Sequence, residues 1–188
     1  MTKLPKISLE TNRLLLLPYE IKFYKGVFAL IQKNKNRLAH SFPNMLRSTE
    51  SEMATIDYVQ QKIFDWNNNK AYAYMVFLKE NNKLIGHVNL KDIDWKKNQA
   101  ELAYLIDEDL ENKGLTAEAV ALLLKIGFHK LALARIFARI VTTNIASQKV
   151  IEKVGLKFEG SFYNSYTTYD NIYVDTYCYG ISKEEFER

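Results

Sequence analysis

Apolar positions along the chain fall into runs whose spacing changes several times. Arg13 to Leu17 is a short apolar run stopped by Pro18, which predicts a strand. Phe23, Val27, Leu30 and Ile31 then recur at intervals of three and four, the face of a helix running to about Asn34. The stretch around Ser41, Phe42, Pro43 and Asn44 predicts a loop. Thr49, with Glu52 three residues on, has capping-box spacing and predicts the start of a second helix through Ile56, Val59, Ile63 and Phe64 to Asn67.

From Ala71 the period shortens. Tyr72 to Leu78, Leu84 to Ile93 and Ala100 to Ile106 predict three strands joined by short polar turns, an antiparallel meander. Leu115 to Leu131 predicts a long helix with Ala119, Leu122, Leu123 and Ile126 inward. Arg135 to Thr142 predicts a strand. Asn144 or Thr143 caps a short helix that Gly155 ends, and Leu156 to Tyr163 and Ile172 to Ile181 are the last strands. The order β-α-α-β-β-β-α-β-α-β-β implies a mixed α/β fold around one sheet.

At 188 residues, with three prolines, seven glycines and no linker or repeat, residues 1 to 188 are expected to form a single domain with an ample core. Lys and Arg exceed Asp and Glu by 26 to 22, a net charge of +4 with the signs interspersed, so no basic stripe points to nucleic acid. Cys178 is the sole cysteine, which excludes an internal disulfide and a thiolate cage, and His40, His87 and His129 lie far apart; no metal is expected. The apolar runs fall well short of the roughly 18 to 20 residues that cross a bilayer. Charges at Lys3, Lys6 and Glu10 interrupt any signal-peptide core, so a cytoplasmic protein away from membranes is expected.

The most informative chemistry lies where the strand Glu101 to Ile106 passes through Glu111-Asn-Lys-Gly-Leu-Thr-Ala117 into the long helix. Backbone N–H groups at a helix start, a glycine that lets a ligand approach and the charge of Lys113 together make an anion seat. The same residues also suit an ordinary strand-to-helix turn, and no Walker ending is present. Glu101 sits on an otherwise apolar strand beside Ala103 and Leu105, which makes it a candidate general base through desolvation; the alternative is a cross-strand ion pair with Lys91 or a neighbour.

The loop 111–117 resembles the pyrophosphate loop of the GNAT N-acetyltransferase superfamily. A second run, Asn144-Ile-Ala-Ser147-Gln-Lys-Val-Ile-Glu-Lys153-Val-Gly155-Leu-Lys-Phe158-Glu159-Gly160, resembles the signature of its RimJ/RimL-like branch, which includes ribosomal-protein N-terminal acetyltransferases. Leu9 to Leu17 resembles that branch's first strand. The resemblance implies a GNAT fold whose strands ending at Ile106 and starting at Arg135 splay apart, and transfer of acetyl from acetyl-CoA to a primary amine, either a protein N-terminus or a small molecule. It implies that Tyr104, Leu105 and Ile106 meet the pantetheine arm, that Lys113, Gly114, Leu115, Thr116 and Ala117 hold the pyrophosphate, and that Asn144 and Ser147 face pantetheine and thioester. Glu101 falls where several members carry a catalytic glutamate, Ser147 is placed to protonate the leaving thiolate, and a backbone N–H near Tyr104 or Leu105 to polarise the thioester.

The chain also departs from the family pattern. Glu111 stands where Gln or Arg is usual, Thr116 where Gly or Ala is usual, and Ile151 where many members have a tyrosine acid. These departures motivate the competing expectation of a non-catalytic module with the same fold. His87 is expected to be a packed histidine, Arg135 and Arg139 solvated, Cys178 a buried small hydrophobe, and the tyrosines Tyr163, Tyr166, Tyr169, Tyr173, Tyr177 and Tyr179 mainly to serve strand packing, with Tyr163 and Tyr166 also candidates to rim the acceptor mouth. The segments His40 to Asn44 and Tyr163 to Asn171 are expected to select the acceptor, and an exposed final strand to allow a homodimer.

Overall fold

The computed structural model describes residues 4–188, so Lys3 lies outside the described residues. Eight strands form one sheet: β1 (Leu9–Glu10), β2 (Leu14–Pro18), β3 (Tyr72–Leu78), β4 (Lys83–Asp94), β5 (Gln99–Ile106), β6 (Arg135–Val141), β7 (Lys157–Thr167) and β8 (Tyr173–Ser182), in the order β1-β2-β3-β4-β5-β6-β8-β7. The first five are successive antiparallel neighbours, as the short turns predict. β5 and β6 are parallel because the helix α5 (Leu115–His129) carries the chain back between them.

Alternating side chains split the sheet into two apolar faces. One packs against α5 and α6 (Ile145–Lys153), where Leu123, Leu124, Phe128 and Ile151 are fully buried with Leu102, Ile136 and Ala138. The other carries Ala73, Met75, Phe77 and Leu105 and is covered by α1 (Tyr24–Lys33), α2 (Lys35–Ser41), α3 (Pro43–Arg47) and α4 (Glu52–Asn67). Each fully buried Leu or Phe on these faces contributes about 1.5–3 kcal/mol. A last short helix, α7 (Lys183–Phe186), follows β8 under a capping box made by Ser182 and Glu185.

Three expectations are corrected. The stretch around Ser41 to Asn44 is not an open loop: α2 and α3 flank Phe42, with Pro43 in the first turn of α3, where its missing N–H costs no helical bond. Ser51, not Thr49, caps α4 by accepting from the Ala54 N–H at 3.1 Å, while the buried Thr49 hydroxyl donates back to the Met45 carbonyl at 2.8 Å. The final strand β8 is internal, between β6 and β7; the open edge belongs to β7, whose residues are exposed along most of their length.

Candidate active site

β5 and β6 pair at only three positions, Gln99 with Arg135, Ala100 with Ile136 and Glu101 with Phe137. Beyond Glu101 the strands part, and the opening continues into a cavity of about 840 Å³. Glu101, Tyr104, Asn144 and Ser147 all line it, so the structure gathers four of the residues expected to act together. The Asn144 side chain caps α6 by accepting from the Ser147 N–H at 3.1 Å and donates to the Ser41 hydroxyl at 3.1 Å. The buried Tyr104 hydroxyl donates to the Ser147 carbonyl at 2.9 Å, and burial raises the pKa of that phenol. Together these bonds fix the first turn of α6 and leave the Ser147 side chain at the cavity wall.

Glu101 is 6% exposed, yet it is not alone on its strand. Its carboxylate lies 3.0 Å from the ammonium of Lys91, its cross-strand partner, and 2.6 Å from Arg139 on β6. The ion pair that the sequence offered as the alternative is therefore present, and the desolvation argument, which assumed an uncompensated carboxylate, does not describe this site. Arg139 is half exposed but is tied to Glu101 rather than free in solvent. Arg135 likewise pairs with Glu159.

The loop residues stand apart from that cavity. Gly114 has φ +74° and leads into α5 with no side-chain cap, so the first N–H groups of the helix remain available to a ligand. Leu115 and Ala117 bury their side chains in the core and have only backbone to offer there, while Lys113 is exposed. Two further cations, missed in the sequence, come to this point. A Cβ on Gly114 would lie 3.7 Å from an Arg13 guanidinium nitrogen and 3.9 Å from the Lys153 ammonium. Arg13 donates to the Lys113 carbonyl at 3.0 Å and pairs with Glu118. Both residues sit inside sequence runs that pointed to the family, but 140 positions separate them and only the fold shows that they meet.

Glu111 turns to Arg37 on α2, not to Lys113. The same guanidinium donates to the Ile106 carbonyl and, at 3.2 Å, to Asn34, so one of the backbone groups expected to be open for a ligand already has a partner. Leu105 packs in the α4-side core.

At the other end, the segments expected to select an acceptor do meet. The Tyr166 hydroxyl donates to the Ser41 carbonyl at 2.9 Å, and Ser41, Phe42, Asn44 and Tyr166 line the cavity; Tyr163 is 79% exposed and is not part of that wall. His87 is buried with Nδ1 2.8 Å from the Tyr19 hydroxyl, and burial, helped by the charge of Lys62, holds its pKa down at about 3. It is the packed neutral histidine expected. Cys178 is buried, and Ile151 belongs to the core. Among the described residues no group of three His, Cys, Asp or Glu is arranged to hold a metal, and no helix is long and apolar enough to cross a membrane.

Comparison with known proteins identifies the family. The chain is 25% identical over 180 residues to the uncharacterized N-acetyltransferase YnaD of Bacillus subtilis, covering 96% of this chain and 99% of that protein. It is 27% identical over 136 residues to the ribosomal-protein-serine acetyltransferase of Escherichia coli, covering 72% and 74%. The solved RimL ribosomal L7/L12 alpha-N-protein acetyltransferase, in complex with coenzyme A, superposes with a TM-score of 0.87 at 20% identity over 94% of this chain and 98% of that one, a shared fold. The model of the acetyltransferase (GNAT) domain matches residues 13–157, and the chain belongs to the GNAT family of N-acetyltransferases.

Proposed function

We propose that this protein, acting as one domain over its whole length, transfers acetyl from acetyl-CoA to the α-amino group of a protein or peptide. The observation that carries this reading is the parted β5–β6 pair: it opens into a cavity that holds Glu101, Tyr104, Asn144 and Ser147, and a cationic helix start lies on the same side of the sheet as α6.

The residues suit the cosubstrate. Gly114 and the N–H groups of Leu115, Thr116 and Ala117, with Lys113, Arg13 and Lys153 beside them, are the groups to hold its pyrophosphate. The amide-rich pantetheine arm suits the β5 backbone from Leu102 to Leu105, which has no β6 partner. When bound, the cosubstrate supplies an acetyl thioester. An α-amino group has a pKa of about 8 and attacks only when neutral, so a proton must leave it. Glu101, in the same cavity, is the group to accept that proton, directly or through water, while Arg139 and Lys91 hold its carboxylate in place. The Ser147 hydroxyl is the group to donate a hydrogen bond to the departing thiolate, any proton it passes on being replaced from solvent. With a thiol pKa of about 8.5 that help is modest. On β5 the backbone N–H of Tyr104 faces the parted β6 while that of Leu105 faces β4, so Tyr104 is the donor for the developing oxyanion.

A peptide acceptor is supported by the likeness to the Escherichia coli ribosomal-protein-serine acetyltransferase and by the mouth at Ser41, Phe42, Asn44 and Tyr166. The unpaired, buried Cys178 is in keeping with a reducing, cytoplasmic setting. A homodimer made by strand pairing would use β7, not β8. The test is thiol release from acetyl-CoA with a panel of peptides and small amines, run beside calorimetric titration with CoA. Peptide-dependent release supports the reading. Release with small amines alone replaces the acceptor, and tight CoA binding without turnover favours a non-catalytic module.

A further inference from the structure

Past the parted strands the cavity continues between α4 and the sheet. Period-two alternation places His87, Asn89 and Lys91 of β4 on this side, and α4 lines it with Ala54, Asp57, Tyr58, Gln61 and Lys62, one helical face at intervals of three and four. These two elements bring mostly polar side chains, Asp57, Gln61 and Lys62 from α4 and Asn89 and Lys91 from β4, opposite an apolar lining that includes Leu102, Ala103, Ala138 and Ile140.

Among the described residues, two groups here lack a hydrogen-bond partner, and a third, Lys62, has no ion-pair partner. Asn89 is 2% exposed and its Oδ1 accepts no hydrogen bond. Tyr58 is 8% exposed and its hydroxyl makes no hydrogen bond, while the Tyr19 hydroxyl bonds His87. The Lys62 ammonium lies 4.8 Å from the centre of the Tyr58 ring, with Asp65 and Asp92 acting on it only from a distance. The other cations of the cavity are committed, Lys91 to Asp92 and Glu101, and Arg139 to Glu101. Asp57 is exposed at the rim. An unsatisfied buried acceptor, an unsatisfied hydroxyl and an uncompensated cation in one chamber match an occupant that brings an N–H and an anionic oxygen together.

We propose that Lys62, Tyr58 and Asn89 form an acceptor subsite for an amine that has a carboxylate a few bonds away, with the carboxylate on Lys62 and the Tyr58 hydroxyl and an N–H on Asn89 Oδ1. This rests on the acetyl-transfer reading above and narrows its substrate. Burial pushes the Lys62 ammonium below its ordinary pKa, and an occupying carboxylate offsets that penalty. The carboxylate has two sources, an acidic side chain near the start of a peptide or a free acidic amino acid.

The experiment measures kcat/KM by thiol release for peptides that differ only in having Asp, Asn or Lys at the second position, and for free aspartate against asparagine. The Asp acceptor is expected to exceed its Asn counterpart by about tenfold or more, the loss typical of one charge-assisted hydrogen bond. Lys62→Met is expected to bring that ratio close to one with the CoA dissociation constant unchanged, and Lys62→Glu to favour the Lys peptide. Tyr58→Phe should lower the ratio without lowering Tm, since the hydroxyl it removes has no partner in the fold. Equal use of Asp and Asn acceptors by the parent protein, or an unchanged ratio in Lys62→Met, overturns the proposal. If peptides are refused and aspartate is accepted, the carboxylate subsite stands and the peptide reading falls. If all peptides are accepted alike, the reverse holds. Turnover of none of these acceptors, with CoA bound, overturns both.

Discussion

The carboxylate of Glu111, in the loop that enters α5, is paired with the guanidinium of Arg37 on α2, and the second terminal nitrogen of Arg37 donates to the carbonyl of Ile106. One side chain thus neutralises the acid that departs from the family pattern and ties the end of β5 to the helical cover. With the pyrophosphate held at this loop as proposed, removing Arg37 would set a free negative charge beside the cosubstrate's phosphates. Arg37→Met is expected to weaken CoA binding about fivefold, near 1 kcal/mol for a pair about one-third exposed. Calorimetric titration checks this, and adding Glu111→Gln should restore affinity to within about twofold. Failure of the double substitution to recover would assign the loss to the Ile106 contact instead of to charge.

Glu101→Gln keeps the shape of the side chain and removes its capacity to take a proton. Turnover is expected to fall about a hundredfold or more, with CoA affinity within about twofold of the parent. Stopped-flow or steady-state thiol release checks this. Unchanged kcat would make Glu101 a counter-ion for Lys91 and Arg139 only.

Gly114 holds a left-handed conformation that costs a side-chain-bearing residue about 1–2 kcal/mol, although an added Cβ would meet Arg13 and Lys153 only at ordinary van der Waals distance. Gly114→Ala is therefore expected to lower Tm and weaken CoA binding together through backbone strain. Gly114→Asn should do less, because asparagine tolerates this conformation better. Differential scanning calorimetry with and without CoA separates the two effects.

His87 titrates at about 3 in the fold against an ordinary value of 6.5. The unfolded chain therefore binds the extra proton first. The stability that comes from keeping His87 neutral is complete above pH 6.5 and falls as pH drops from 6.5 toward 3, by about 1.4 kcal/mol per pH unit. Urea unfolding at pH 7 and pH 5 is expected to show a loss about 2 kcal/mol larger for the parent than for His87→Gln. Equal losses would mean that His87 is not kept neutral by the fold.

Much of this architecture was legible from residue spacing. β3 agrees at both ends with its expected span, because a strand buried on both faces is written in an unbroken apolar run, and β4, β5 and β6 agree within a residue or so, because short polar turns bound β4 and β5 and apolar residues recur along all three. Asn144 and Gly155 mark the ends of α6 as expected, since caps are local chemistry. The helices α2 and α3 were not legible: at seven and five residues they are too short to show a period, and tertiary contacts hold them. The site was legible where a motif is contiguous, as at Gly114 and at Asn144 with Ser147. It was hidden where the fold supplies the partner. Arg139 alternates on its strand like a solvated residue, and Arg13, Arg37 and Lys153 are ordinary surface cations until β2, α2 and α6 bring them to loop 111–117 or its flank.

The three-rung ladder between β5 and β6 divides the sheet into two panels, one of five strands and one of three, joined along a short seam. Swinging one panel against the other breaks few backbone bonds, whereas the same movement between β3 and β4 would disrupt a ladder of seven pairs. Mechanical compliance is thereby concentrated at the place where, in the proposed function, a long, thin coenzyme would thread in and leave. Rigidity is kept for the strands that hold Asn89, Lys91 and Glu101 in register.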